Sequence, residues 1–473
     1  MTRLAHPRIF ALSCTLLLCA CKAGEDYQQP AIDVPASFSA AAPPPAGADH
    51  PNEPPAHWWT SLQDEQLTHL IERVRSSNLD LRAATARVRE ARALYELAGG
   101  RAGPQVGAFA GYAWGETSTT LGNARFAKQG PTEFFQAGFD ASWEIDIFGH
   151  NARAIEAARA GAEAAVEDSR DVLVSLYAEL ARNYVELRSA QKEATLTRDN
   201  LSVQQDTLEL VSARAESELA SDFDVARAEV QVATTRALLP LLETRASEAM
   251  HRISVLLGSE PNALAAELSE PGPIPASPAV TDTGIPADLL RRRADIRRAE
   301  RELAQAAALT AEATAALFPR RSLTAALGLQ SKSLTHLFDG DSGAFSVGPS
   351  LTAPIFNSGA LRANIRAQGA RQEQALVRYQ ESTLIALREV EDALVASDRE
   401  RVRLASLREA LESGKRALSL SRALNREGLA DFFEVLDAQR SALVAEGAVA
   451  QSEGQLCANT IAVYKALGGG WED

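Results

Sequence analysis

Residues 428–440 read GLADFFEVLDAQR and stand between two helical patterns. Gly428 ends the first pattern, Asp431 stands where an N-cap residue begins the next, and apolar residues then recur at helical spacing. The stretch therefore predicts the bend of an antiparallel helical hairpin.

A second copy of this bend lies about 210 residues earlier in the chain. Residues 219–225 read LASDFDV, and five of these seven positions match residues 429–435 when Asp and Glu count as equivalent. Glu218 stands where the other bend has Gly428. The chain is therefore predicted to contain two helical hairpins.

The repeat extends beyond the bends to two halves of the chain. Each half has the order helix, strand, strand, long helix, bend, helix, because period-two and helical patterns alternate in the same sequence. The helix that begins near Asn78 is expected to end before Gly99-Gly100. The predicted domains are a signal peptide (1–20), a lipid-anchored extended segment (21–56), a first repeat (57–258), a Pro-rich linker (259–286), a second repeat (287–468) and a C-terminal tail (469–473).

The long helix of each half carries a seven-residue repeat of apolar positions. In the first half this repeat runs from Val166 to Leu208, inside a proline-free region of 151–213. A strict seven-residue repeat imposes a left-handed supercoil, and a helix of this length spans roughly 95 Å. Both long helices are predicted to form coiled coils.

The four predicted strands each have one apolar face. The apolar positions are Val106 to Trp114, Phe135 to Ile147, Leu323 to Leu329 and Phe345 to Ala353, taken at every second residue. Such strands suit a lipid-facing β-barrel, yet four strands cannot close one, and open edges are not tolerated in hydrocarbon. Three copies of the chain would supply about twelve strands, which lies within the known range of outer-membrane barrels.

The N-terminus has the layout of a secretory signal peptide. Basic residues precede an apolar run at 9–20, which is too short to span a bilayer as a helix. Residues 18–21 read LCAC and resemble a bacterial lipobox, which implies a covalent lipid on Cys21. An ordinary signal peptide with an incidental cysteine is the alternative. The Pro- and Ala-rich segment that follows is expected to run extended over the surface and to tether the lipid anchor to the folded body.

Composition argues against nucleic acid and against catalysis. The 473 residues have a formal net charge of -14, whereas phosphate binding needs a basic surface. Three cysteines lie in the first 21 residues and Cys457 stands alone, so no disulfide framework is expected and Cys457 is predicted to be a small core residue. Nucleophile, metal-ligand and phosphate-loop spacings are missing from the sequence. We expect that the protein is not an enzyme, and that it binds no metal and no cofactor besides the covalent lipid.

Several motifs together resemble one known family. They are WW at 58–59, IPADLLRRRADIR at 285–297, LFPR at 317–320, APIF at 353–356, LREVEDAL at 387–394 and LDAQR at 436–440. The chain resembles the outer membrane efflux proteins, the TolC-like channels, and within them the lipoprotein branch that works with resistance-nodulation-division (RND) pumps. Ala294 stands where that family usually has proline.

The resemblance implies a membrane α+β fold. Its expected form is a homotrimer with a 12-stranded transmembrane β-barrel, four strands per chain, continued by a long periplasmic α-helical coiled-coil barrel. It implies a passive, gated exit duct in the outer membrane of a Gram-negative bacterium, for drugs or other small molecules. The implied partners are a periplasmic adaptor protein, an inner-membrane RND transporter and outer-membrane lipid. A duct for type I protein secretion or metal efflux is an alternative, and a non-conducting coiled-coil lipoprotein is a more remote one.

The resemblance also implies site residues after the second bend. Phe433, Asp437 and Arg440 lie at i, i+4 and i+7, on one helix face. Positions matching Phe433 and Asp437 form the family's periplasmic constriction, and Arg440 is assigned to a tethering ion pair. An acidic ring at such a constriction favours cations. Alternatively, these are ordinary coiled-coil residues.

The two bends are candidate contacts for the adaptor. Their central residues are Glu218, Leu219, Ala220 and Ser221 in the first bend, and Gly428, Leu429, Ala430 and Asp431 in the second. A simple helix turn with no partner is the alternative reading of each bend.

Overall fold

The computed structural model describes residues 22–39, 56–116, 131–279 and 286–471. The predicted signal peptide and Cys21 lie outside the described residues, as do parts of the predicted linker and tail.

The described ranges form nine α-helices and four strands. The helices are α1 (Glu65–Ser77), α2 (Leu79–Ala102), α3 (His150–Glu216), α4 (Asp222–Leu256), α5 (Ala265–Leu268), α6 (Pro286–Arg292), α7 (Ala294–Ala315), α8 (Ala360–Arg426) and α9 (Phe432–Ala466). A short 3-10 helix, Trp58–Leu62, precedes α1. None of the described helices is both long and apolar enough to cross a membrane.

The internal repeat is confirmed by the lengths of the helices. The long helices α3 and α8 each contain 67 residues. The returning helices α4 and α9 each contain 35 residues. Each half thus has the predicted order of helix, two strands, long helix, bend and helix.

The chain divides into two compact units that do not follow the repeat. The first unit takes described residues from 1–31, 88–165 and 299–379, and the second takes them from 32–87, 166–298 and 380–473. Each unit therefore combines segments of both halves. The domain boundaries drawn along the sequence remain a prediction.

The first unit contains a four-stranded antiparallel sheet in the order β1-β2-β3-β4. Its strands are β1 (Gln105–Gly115), β2 (Thr132–Glu144), β3 (Arg320–Ser331) and β4 (Gly343–Thr352). The register pairs Phe139 with Ala108 on one side and with Leu327 on the other. Because directly opposed residues share a face, the predicted apolar series of all four strands lie on one face of the sheet. That face is exposed: Val106, Phe139 and Phe345 are 72%, 62% and 82% accessible.

On the opposite face of the sheet, β2 and β3 leave room only for glycine at one pair of positions. Gly138 and Gly328 are directly opposed. A Cβ atom added to Gly138 would lie 2.5 Å from the Leu327 carbonyl oxygen, and one on Gly328 would lie 2.4 Å from that of Ala137. Any larger residue would push the strands apart at this point.

The structure corrects two predicted boundaries. Helix α2 continues through Gly99-Gly100 to Ala102. The following Pro104, which disfavours helix at the residue before it, is the physical reason for the end. Strand β2 ends at Glu144, so Ile145 and Ile147 lie beyond it, although the Ile145 N–H still donates to the Arg321 carbonyl at 2.8 Å.

The second unit holds the main apolar core. Trp58 stacks on Tyr464 and Trp59 meets Tyr177 edge-on, with ring centroids 5.5 and 4.9 Å apart. Leu180 and Leu187, two of the predicted heptad positions, are fully buried in this core. Cys457 is buried there too, as predicted, and burial raises the pKa of its thiol to about 12.

The N-terminal segment of the first unit has no helix or strand and is fixed to neighbouring residues by hydrogen bonds and an ion pair. The Ala23 N–H donates to the Phe148 carbonyl at 2.9 Å. The buried guanidinium of Arg153 pairs with Asp26 at 2.8 Å and donates to the Gly24 carbonyl at 3.3 Å. Arg153 also pairs with Glu156 at 2.7 Å. Because a buried cation must be paired to be stable, these contacts with Asp26 and Gly24 help to hold the segment in place.

Candidate functional site

The first bend joins α3 to α4 through a residue in the left-handed backbone region. Glu218 has φ 58°. The Leu219 N–H donates to the Arg214 carbonyl at 2.8 Å, and the Glu218 N–H donates to that of Ala215 at 2.9 Å. These two hydrogen bonds form a Schellman motif, the usual C-terminal cap of a helix that ends in a left-handed residue.

The second bend joins α8 to α9 with the same geometry. Gly428 has φ 74°, the Leu429 N–H donates to the Leu424 carbonyl at 2.9 Å, and the Gly428 N–H donates to that of Asn425 at 3.1 Å. Glu218 therefore adopts the conformation that Gly428 has in the second bend. The loss of glycine does not change the shape of the first bend.

The two bends differ in how the next helix is capped. Ser221 makes a capping box with Asp224: its side chain accepts from the Asp224 N–H and its own N–H donates to the Asp224 carboxylate, both at 3.2 Å. Asp431 occupies the predicted N-cap position, but its side chain makes no capping hydrogen bond. There the Asn425 amide donates to the Ala430 carbonyl at 3.0 Å and links the two arms of the bend.

The bends present apolar side chains to solvent. Leu219 and Leu429, at matching positions, are 77% and 71% exposed, and Phe223 is 66% exposed. The other predicted tip residues, among them Ala220 and Ala430, are exposed or half-buried. Exposed apolar residues rimmed by polar ones are typical of a surface that contacts another protein.

The three predicted gate residues begin one residue into α9. Arg440 donates to the Asp437 carboxylate at 3.0 Å, which is an ion pair within one turn of α9. Both side chains are about half exposed, with 49% accessibility for Asp437 and 63% for Arg440. An exposed pair of this kind positions the carboxylate more than it stabilises the fold.

The third predicted gate residue, Phe433, contacts the first hairpin. The Arg227 guanidinium of α4 lies 3.9 Å from the Phe433 ring centroid, and 5.3 Å from that of Phe223. Phe433 is 39% exposed with this cover in place. Sequence reasoning missed Arg227. Arg227 lies four residues after Phe223, and side chains at this spacing are neighbours on a helix. This spacing is the only local signal that could have indicated a contact between Arg227 and an aromatic ring.

Among the described residues, no three His, Cys, Asp or Glu side chains form a group that could hold a metal ion.

A family model described as outer membrane efflux protein matches residues 70–259 and 285–469. The chain belongs to the outer membrane efflux protein family. The two matched segments correspond closely to the two halves of the repeat, each with its own hairpin.

Individual members of the family confirm the assignment. The chain is 32% identical over 418 residues to the pyoverdine export outer membrane protein OpmQ of Pseudomonas aeruginosa, covering 88% of this chain and 87% of that protein. It is 30% identical over 473 residues to the toluene efflux pump outer membrane protein TtgF of Pseudomonas putida, covering 98% and 97%. The solved structure of the outer-membrane channel OprN superposes with a TM-score of 0.89 at 36% identity, covering 95% of this chain and 100% of that one.

The family fixes the fold and the role. The long helices and four-stranded sheet are those of the TolC-like outer-membrane channels. The chain is the outer-membrane channel component of an efflux pump, and its location is the outer membrane.

Proposed function

We propose that three copies of this chain close into one passive exit duct, which receives small molecules from an inner-membrane RND transporter through a periplasmic adaptor. The sheet carries this proposal. Among the described strands, β1 pairs only with β2 and β4 only with β3, so the sheet has two free edges next to an exposed apolar face. Free edges in lipid must find partners, and copies of the same chain supply them.

The constriction of this duct is proposed to lie beside the second bend, at Phe433, Asp437 and Arg440. Arg227 extends it, because its guanidinium covers Phe433 and connects the two hairpins of one chain. Three Asp437 carboxylates around a common axis would favour cations over anions in the narrowest part of the path.

The test is conductance of the purified full-length protein in planar bilayers. Asp437→Ala should raise single-channel conductance and lower the preference for cations. Glu446→Ala is the matched control, because Glu446 also lies on α9 and pairs with one cation, Lys415, at 3.6 Å. If Asp437→Ala conducts like the wild type, or if Glu446→Ala has the same effect, Asp437 does not belong to the constriction.

We propose that Cys21 carries the lipid. The described chain begins one residue later, and Lys22 lies against Gly149, at the start of α3: its Cγ is 3.3 Å from where a Gly149 Cβ would stand. Gly149 follows the end of β2 by five residues. A lipid on Cys21 would thus leave the chain near the end of the sheet, where membrane and periplasm meet. Mass spectrometry of the N-terminal peptide tests this proposal: an unmodified Cys21 in the mature protein would refute it.

We propose that adaptor and pump, and not this chain, select the cargo. Two relatives of similar identity are named for the export of pyoverdine and the efflux of toluene, molecules with little chemistry in common. A duct that only conducts need not recognise either. Exchange of this chain for either relative beside one pump should leave the range of exported molecules unchanged.

A further inference from the structure

A cavity of about 470 Å³ opens in the second unit beside α1, α2 and α3. Its polar and aromatic lining consists of Arg75, Arg82, Thr85, Ser169, Arg170 and Trp471. Leu81 and Leu173 complete it, and no carboxylate is among the described lining residues. Three guanidinium groups around one cavity are notable in a chain with a net charge of -14.

The acidic residues next to this cavity along α3 already have cationic partners. Glu167 pairs with Arg170 and with Arg297, each at 2.7 Å. Asp168 pairs with Arg87 at 3.0 Å and with Arg298 at 2.8 Å.

Arg82 is different, since its side chain makes no ion pair or hydrogen bond with any described residue. Ser169 likewise has a hydroxyl without a described partner. The cavity thus keeps a positive charge that neighbouring carboxylates do not neutralise, beside a free hydrogen-bond donor.

The indole of Trp471 is held in place by one hydrogen bond and two guanidinium groups. Its Nε1–H donates to the Arg292 carbonyl at 3.0 Å. The guanidinium of Arg170 lies 4.6 Å from the ring centroid and that of Arg297 lies 5.1 Å from it. Because the ring is fixed in this way, it offers a preformed apolar wall together with Leu81 and Leu173.

We infer that this cavity binds a small organic anion. Its carboxylate or phosphate is held by Arg82 and Arg170, with Arg75 at the rim, and its apolar part lies against Trp471 and the two leucines. Guanidinium groups match the planar and tetrahedral oxygens of these anions with paired hydrogen bonds. A volume of this size is that of a small-molecule site.

The site is separate from the proposed constriction. Arg170 precedes the end of α3 at Glu216 by 46 residues (216 minus 170), which corresponds to about 70 Å of helix. Anion binding in this cavity is therefore separate from conduction at the constriction. Its test does not depend on the duct proposal.

The experiment is isothermal titration of the full-length protein in detergent with phenyl phosphate, phenol and inorganic phosphate. Phenyl phosphate should bind, inorganic phosphate should bind about tenfold more weakly because it lacks the apolar contact, and phenol should not bind. Arg82→Gln should weaken phenyl phosphate about tenfold or more, since it removes a charged hydrogen bond. Arg89→Gln is the matched control: it is an exposed arginine on the same helix, outside the cavity.

Two results would overturn the inference. One is the absence of binding heat with phenyl phosphate. The other is equal weakening by Arg82→Gln and Arg89→Gln, which would indicate general attraction of anions. Bilayer conductance of Arg82→Gln, expected to equal that of the wild type, separates this site from the duct.

Discussion

Replacement of Glu218 by glycine should stabilise the first bend. Glu218 has φ 58°, and a left-handed conformation costs a residue with a Cβ about 1–2 kcal/mol. Glycine avoids that cost. It also has more conformational freedom when the bend is open, and this entropy offsets about 0.5–1 kcal/mol of the stabilisation. The difference leaves a local stabilisation of roughly 0.5–1 kcal/mol for Glu218→Gly.

Hydrogen exchange at the bend measures this difference directly. The Leu219 amide is protected by its hydrogen bond to the Arg214 carbonyl, so its exchange reports local opening of the bend. A stabilisation of that size slows exchange about two- to fivefold. The reciprocal change, Gly428→Glu, forces a side chain into the same conformation at the second bend. It should speed exchange of the Leu429 amide by about the same factor.

Glu218→Gln is the matched control for charge. It removes the carboxylate but keeps a Cβ in the left-handed region, so exchange at Leu219 should stay at the wild-type rate. If Glu218→Gln slows exchange as much as Glu218→Gly does, the carboxylate and not the backbone determines the stability of the bend. Unchanged exchange in both Glu218→Gly and Gly428→Glu would refute the strain argument entirely.

Further predictions concern the caps, the buried thiol and the tips. Ser221→Ala should destabilise the start of α4 by about 1 kcal/mol and speed hydrogen exchange of the Asp224 amide. Asp431→Ala should leave the exchange rate of the Glu434 amide nearly unchanged, because Asp431 makes no capping hydrogen bond. Burial raises the pKa of Cys457 to about 12, so the folded chain keeps a proton that the unfolded chain loses above about pH 8.5. The thiol should therefore resist labelling by maleimide at pH 8 until denaturant is added, and rapid labelling of the folded protein would contradict this prediction. The contribution of the buried thiol to stability should fall as the pH rises from the pKa of the unfolded chain to that of the folded chain. Charge reversal at both bends, Glu218→Lys with Asp431→Lys, should lower drug resistance while the trimer persists on native gels, and full resistance would place the adaptor contact elsewhere.

The sequence predicted the features that depend on local periodicity. Alternation in the strands placed the Val106 and Phe345 series on one face, and the register confirms that they share it. Heptad spacing identified Leu180 and Leu187 as core residues of α3. Such patterns survive folding because burial on one side of an element requires them.

Single residues were less predictable than patterns. Gly99-Gly100 was expected to end α2, but a glycine inside a helix costs only about 1 kcal/mol, and the helix continues to Ala102. Asp431 has the residue type and position of a cap without the hydrogen bond. In both cases local preference is weak enough for the surrounding structure to override it.

Contacts between distant segments could not be predicted at all. Arg227 and Phe433 are separated by 206 positions (433 minus 227), and nothing in the local pattern of either indicates the other. The same holds for Arg153 and Asp26: the composition of the N-terminal segment predicts an extended course over the surface, but it does not indicate which residues the segment contacts. A Pro-rich composition indicates that a segment lacks its own core, but it does not exclude binding to a surface prepared by other residues.

The equal lengths of the two hairpins follow from the contact between Arg227 and Phe433. Arg227 is the sixth residue of α4, counting from Asp222, and Phe433 is the second of α9, counting from Phe432. One residue gained or lost in either long helix would move its bend about 1.5 Å along the axis and turn it by about 100°. That turn would carry a guanidinium at 3.9 Å away from its ring. The 67-residue length shared by α3 and α8 is therefore not only a remnant of duplication, since the two bends must stay level for one hairpin to cover the proposed constriction of the other. The backbone strain at Glu218 is confined to the first bend, so this residue can replace glycine there. A change in helix length would instead displace the whole tip.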